Sequence, residues 1–156
     1  MKCVVREATE EDARFIGARL RESDRREVEA LGFDPAGAVL WSFRASDVIR
    51  TGELDGEPAM IFGAGGGVFG EEVGAPPFIW ALGTDRCFGS PKQLVRQGRR
   101  FVSEMVKRYG YLENYCDARY VQSLNWLRRI GFTVGEPVPY GPSGNLFCKL
   151  SIQGKE

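Results

Sequence analysis

Residues Pro77–Gly110 read PFIWALGTDRCFGSPKQLVRQGRRFVSEMVKRYG, and this stretch decides the fold. Pro77–Leu82 is almost continuously apolar, which marks a central strand buried on both faces. A polar turn follows, and Ser90-Pro91 starts a helix with proline at its first position. Leu94, Phe101, Met105 and Tyr109 fall on one face of that helix, with Gly98 at the missing step and Gly110 as the stop. A glycine on the buried face lets the helix approach the sheet closely. The unit is a strand, a polar turn and a long amphipathic helix.

Working outward, Leu112–Cys116 is a further strand, and Tyr120–Ile130 is a helix capped by Gly131. Thr133–Pro139 and Leu146–Ile152 form a last hairpin about the turn formers Gly141–Asn145. Upstream, Val4–Ala8 is a first strand, and Thr9-Glu10-Glu11-Asp12 opens a helix with a capping box. Its apolar positions Ala13, Ile16, Leu20, Val28 and Leu31 carry it to a stop at Gly32. Asp34-Pro35 starts a short second helix with Val39, Leu40 and Phe43 buried. Val48–Leu54 and Ala59–Ala64 flank Asp55-Gly56, a hairpin turn. Gly63–Gly67 reads as a strand end entering a flexible loop, since no Lys-Ser or Lys-Thr helix start follows to make it a P-loop. The expectation is α/β (α+β): one domain over 1–156, with a mixed, mostly antiparallel sheet and helices on both faces.

Composition removes several functions. The chain has 156 residues and no histidine, so Ser-His-Asp and Cys-His catalysis and histidine-ligated metals are excluded. Acid–base chemistry falls to Asp, Glu, Tyr, Cys, Lys or water. Lys plus Arg and Asp plus Glu are both 21, and this balance argues against general nucleic-acid binding. Cys3, Cys87, Cys116 and Cys148 are widely spaced, form no metal-ligand pattern and indicate a reducing compartment. No apolar run is long enough for a membrane span and no signal peptide is expected. The basic helix residues Lys92, Arg96, Arg99, Arg100, Lys107 and Arg108 read as a solvated face.

Arg86-Cys87-Phe88-Gly89-Ser90-Pro91, between that strand and that helix, resembles the Arg/Gln-x-x-Gly-x-Gly/Ala loop of the GNAT acyltransferases. The resemblance implies a GNAT-like fold and acetyl-CoA as cofactor, with Leu82, Thr84, Arg86, Gly89 and Ser90 as the residues that bind it. Arg86 and Gly89 fit the pattern; Pro91 does not, having no N–H to offer a phosphate. SLNWLRRIGF, Ser123–Phe132, resembles the family's segment Asn-x-x-Ser/Ala-x-x-x-Tyr-x-x-x-Gly-Phe. Ser123, Gly131 and Phe132 match, but Tyr120 stands for the Asn and Leu127 for the proton-donating Tyr. Tyr120, or alternatively Cys116, is the candidate substitute acid. Glu113 is the candidate base, with Glu53 and Glu57 as others. Cys87 lies near a helix start, where a thiol pKa can fall, but no partner base accompanies it.

Trp80–Ile152 also looks like the small internal virion proteins of short-tailed coliphages, through Leu112-Glu113-Asn114-Tyr115 and Trp126–Gly131. That resemblance implies a phage or prophage protein of the host cytoplasm or virion. Its partners would be other virion proteins, and it would have an assembly role with little or no catalysis. The alternative is an acetyl-CoA-dependent N-acyltransferase acting on an amine, and a middle case binds CoA without turnover.

Overall fold

A computed structural model describes residues 1–66 and 75–155. The Gly-rich expectation therefore lies partly outside the described residues, at 67. Strand β1 (Cys3–Glu7) is followed by helices α1 (Glu10–Gly17), α2 (Glu22–Ala30) and α3 (Pro35–Ala45). Strands β2 (Val48–Leu54), β3 (Glu57–Gly65) and β4 (Phe78–Gly83) lead to α4 (Pro91–Tyr109). Then come β5 (Tyr111–Asp117), α5 (Val121–Arg129), β6 (Thr133–Val134), β7 (Val138–Pro139) and β8 (Leu146–Gln153).

The sheet runs β1-β2-β3-β4-β5-β8-β6, with β7 also on β8. Every pairing is antiparallel except β4 with β5. One face carries a core of Ala13, Ile16, Val28, Val39, Ile61 and Leu82 beneath α1, α2 and α3. The other carries Phe101, Val102, Met105, Leu112, Leu124 and Leu150 beneath α4 and α5. The expected two-sided helix arrangement holds. Among the described residues no helix is long and apolar enough to cross a membrane.

Local signals act as their chemistry requires. The Thr9 hydroxyl accepts the Asp12 N–H and the Asp12 carboxylate accepts the Thr9 N–H, closing the capping box of α1. The β2–β3 turn places Asp55 at φ 51° and Gly56 at φ 84°, the positive pair that the tightest hairpin turns demand.

Three expectations change. The helix expected from Thr9 to Leu31 is two helices, because the chain at Leu20–Arg21 leaves the helix to pair with the end of β4. Leu20 bridges Thr84, and the Arg21 N–H donates to the Gly83 carbonyl at 2.9 Å. The penultimate strand, expected over Thr133–Pro139, breaks into β6 and β7 around Gly135-Glu136-Pro137. Gly98 does permit a close approach, but to Ile130 at the end of α5 and not to the sheet: a Cβ there would lie 2.8 Å from Ile130 Cγ2.

Candidate active site where two strands part

Strands β4 and β5 share one register pair, Phe78 with Glu113, and then separate. The parting is built by Asn114. Its Nδ2 donates to the Ile79 carbonyl at 2.6 Å and its Oδ1 accepts the Tyr115 N–H at 2.7 Å. One side chain thus satisfies both strand edges where backbone pairing stops, at no unpaired cost.

At the far end, α2 spans the opening with two carboxylates one turn apart. Asp24 accepts the Gly83 N–H of β4 at 2.8 Å, and Glu27 accepts the Asp117 N–H of β5 at 2.9 Å. Strand alternation fixes what remains. Thr84 donates to Ala59 at 2.9 Å, so Leu82 turns its peptide to β3 while Ile79, Ala81 and Gly83 turn theirs to the opening. Ile79 is taken by Asn114, and Gly83 by Asp24 and Arg21. The Ala81 peptide faces the opening between them.

The cleft holds about 140 Å³. Its walls include Ala81, Asn114 and Cys116 from the strands, Arg21 at the N-cap of α2 with Asp24 and Glu27 inside that helix, and Gln93, Leu94 and Gly98 from α4, with Ser123 and Leu127 from α5. The Arg21 guanidinium crosses it, donating to Ser123 Oγ at 2.8 Å, lying 3.1 Å from the Asp24 carboxylate and 4.7 Å over the Phe88 ring.

Glu27 is the unusual group. Burial, then the neighbouring Asp24 charge, raise its carboxyl to about 8, against the opposing Asp117 N–H bond. Burial likewise raises Asp24, opposed by Arg21. The Cys116 thiol is pushed far up by burial and by the neighbouring Glu27 carboxyl, which accepts the adjoining Asp117 N–H.

The residues singled out in the sequence divide. Glu53 lines the cleft, but its carboxylate holds Arg6 Nε at 2.8 Å. Glu57 pairs with Arg86 at 3.1 Å, so Arg86 is also engaged. Glu113 accepts the Tyr111 hydroxyl at 2.7 Å, pairs with Lys149 at 3.3 Å and is not in the cleft wall. Tyr120 caps α5 outside that wall, its buried hydroxyl without a hydrogen-bond partner among the described residues. The Leu82 side chain sits in the α1–α3 core, and Thr84 is buried. Gly89 turns tightly, its N–H bonded to the Arg86 carbonyl at 2.8 Å. Ser90 precedes α4 and lines the cleft, with Pro91 in the first turn of the helix. A helix start does not lower the Cys87 thiol, as the sequence had allowed; burial raises it to about 11.

Glu27 was not anticipated. Its helix, ESDRREVEA, has little apolar face, and its polar row Arg21, Asp24, Glu27 at three-residue steps was the available signal.

The fold matches solved acetyltransferase structures over nearly its whole length. A ribosomal-protein-alanine N-acetyltransferase from Brucella melitensis superposes with TM-score 0.71 at 13% identity, covering 97% of this chain and 99% of the other. A GNAT-family acetyltransferase from Bacillus anthracis gives 0.67 at 13%, covering 98% and 95%. This is the GNAT fold. An aminoglycoside acetyltransferase in complex with coenzyme A shares it at TM-score 0.65 and 18% identity, covering 97% and 95%. At these identities the GNAT likeness establishes architecture alone. No family model matches the chain. No curated protein matches it either. These GNAT structures give no support to the narrower likeness to coliphage internal virion proteins.

Proposed function

We propose that the protein is an acyl-CoA-dependent N-acyltransferase, with acetyl-CoA as the donor. The observation that carries this reading is the open β4 edge: Ala81 turns its peptide into a cleft that β4 and β5 form by parting. The complexes of neighbouring folds with coenzyme A support the same donor.

The residues present fit such a cofactor with fewer donors than the sequence pattern implies. The first-turn amides of α4 at Lys92 and Gln93 lie beyond the reach of helical pairing, as at any helix start, and suit a pyrophosphate. Pro91 removes one donor and the Gly89 N–H is spent on Arg86. Ser90, Lys92 and Gln93 would hold the phosphates, with Gly89 permitting the turn. Bound there, acetyl-CoA supplies an acyl group activated as a thioester.

The chain's own residues do the rest. The Ala81 N–H is the donor for the acyl oxygen, where negative charge develops. Glu27, poised near neutrality by burial, takes the proton from the incoming amine. Arg21, with its guanidinium over the Phe88 ring, walls the cleft. An assembly role in a phage particle rested on the C-terminal half of the sequence, and no feature of the fold favours it.

Calorimetric titration with acetyl-CoA, and with CoA as control, tests the reading. Micromolar binding, abolished by Gly89→Glu, is expected. No heat at high ligand concentration would end it.

A further inference from the structure

The cleft lacks the proton donor that position 127 supplies in the resembled pattern, since Leu127 has no proton to give. Other hydroxyls do not replace it. Tyr120 lies outside the cleft wall, and Ser123 Oγ already accepts from Arg21. Tyr115 also lines the cleft, but its ring stacks on Tyr140 with centroids 3.8 Å apart, on the sheet face opposite the Cys116 side chain. Cys87 lies packed against the Gly83 backbone, its Sγ 2.9 Å from where a Cβ on Gly83 would be. Cys116 remains. It lines the cleft, as Leu127 does, and belongs to the core cluster against which Leu127 packs. Its thiol donates to the Asp117 carbonyl at 3.7 Å, and the Glu27 carboxyl stands beside it, held on the adjoining Asp117 N–H at 2.9 Å.

We propose that Cys116 and Glu27 form a proton relay in the cleft, Cys116 protonating the departing thiolate and Glu27 replenishing Cys116. This rests on the acyltransferase reading. The Cys116 S–H bond breaks as the S–H bond of the free thiol product forms. The Glu27 O–H bond breaks as the Cys116 S–H bond is remade. Glu27 regains its proton from the amine nitrogen as the amide forms, so the cycle neither gains nor loses protons.

The energetics suit a pair and not a lone thiol. Burial and Glu27 hold the Cys116 proton tightly, so Cys116 alone is a poor acid. Coupled to Glu27, the proton that leaves the pair is in effect the carboxyl proton, held at about 8. An ordinary thiol lies at roughly 8.5, so the transfer is close to balanced. Asp24 from α2, Arg21 at its N-cap, Asp117 from β5 and Tyr120 beyond it face the same carboxyl, while Cys148 on β8 lies across from Cys116.

The S–H stretching band in the infrared reads the pair without any turnover. Loss of one band in Cys116→Ser assigns it. In the wild type that band is expected to move to lower frequency as pH rises through the Glu27 ionisation, and to stay fixed in Glu27→Gln. In turnover of acetyl-CoA against a panel of primary amines, Cys116→Ala is expected to lower kcat by about 100-fold or more with KM for acetyl-CoA unchanged. Cys116→Ser should retain most of the rate. A pH-independent S–H band, or wild-type kcat in Cys116→Ala, overturns the relay. Failure of acetyl-CoA to bind by calorimetry overturns the acyltransferase reading, and the relay's catalytic role with it, even where the band shifts.

Discussion

Replacing Glu27 with glutamine should change how stability depends on pH. In the folded protein the carboxyl titrates at about 8, raised first by burial. In the unfolded chain it titrates near the ordinary glutamate value of about 4.3. A group raised on folding contributes stability that is complete below the unfolded value and is lost as pH rises towards the folded one. Between those values the folded protein keeps a proton that the unfolded chain has released, and stability falls by up to about 1.4 kcal/mol per pH unit. From about pH 5.5 to about pH 7.5 the loss integrates to roughly 2 kcal/mol. The window is clean because the chain has no histidine. Asp24 is raised as well, but it is present in both proteins and cancels in the comparison. Glutamine keeps a carbonyl for the Asp117 N–H that Glu27 accepts at 2.9 Å. Urea unfolding of both proteins at the two pH values gives the double difference directly. The wild type should lose about 2 kcal/mol more than Glu27→Gln across the window. Parallel pH dependences would refute the assignment of a buried, protonated carboxyl at position 27.

Two further outcomes follow from geometry. Asp12, 6% exposed, accepts two bonds from Arg6 at 2.6 and 2.8 Å and one from Thr51 at 2.9 Å. Its carboxyl is lowered to about 2 because the Arg6, Thr9 and Thr51 bonds together outweigh burial, the largest single influence. That stability is complete above the unfolded value and is lost as pH falls towards 2. Asp12→Asn should therefore cost about 2 kcal/mol in urea unfolding at neutral pH and far less in strong acid. Gly98→Val would drive a Cβ to 2.8 Å from the stiff Ile130 Cγ2 and should cost about 1–3 kcal/mol, with a second change, Ile130→Ala, less harmful beside it than alone.

Much of the architecture was legible because its signals are local. The β4–turn–α4 unit announces itself by an apolar run and a Ser-Pro start, and the Asp55-Gly56 turn by the only residue types that suit its dihedrals. What stayed hidden depends on distant partners. The break between α1 and α2 exists because Leu20 and Arg21 reach the end of β4, some sixty residues on in the chain, while the apolar spacing through Leu31 reads as one helix. Glu27 looks like a surface carboxylate in sequence, and only the Asp117 amide, 90 residues away, makes it an interior one. Glu53, Glu57 and Glu113 looked equally available, yet each has a cation beside it that the sequence does not show: Arg6, Arg86 and Lys149. The turn between β4 and α4 was legible from its flanking elements, but which amides are already spent inside it is a matter of three-dimensional closure.

The single ladder contact between β4 and β5 has a mechanical consequence. The sheet is two leaves, β1–β4 and β5–β8 with β6 and β7, meeting along a seam. Asn114 stitches one end, and Asp24 and Glu27 buckle the other. Each leaf keeps its own ladder when the seam opens, so opening breaks a few side-chain bonds and the one ladder contact, where the Glu113 N–H donates to the Pro77 carbonyl at 3.0 Å. Native-state fluctuations of the molecule therefore concentrate along the line that borders the candidate site, and protonation of the α2 carboxyls sets how firmly that line is held.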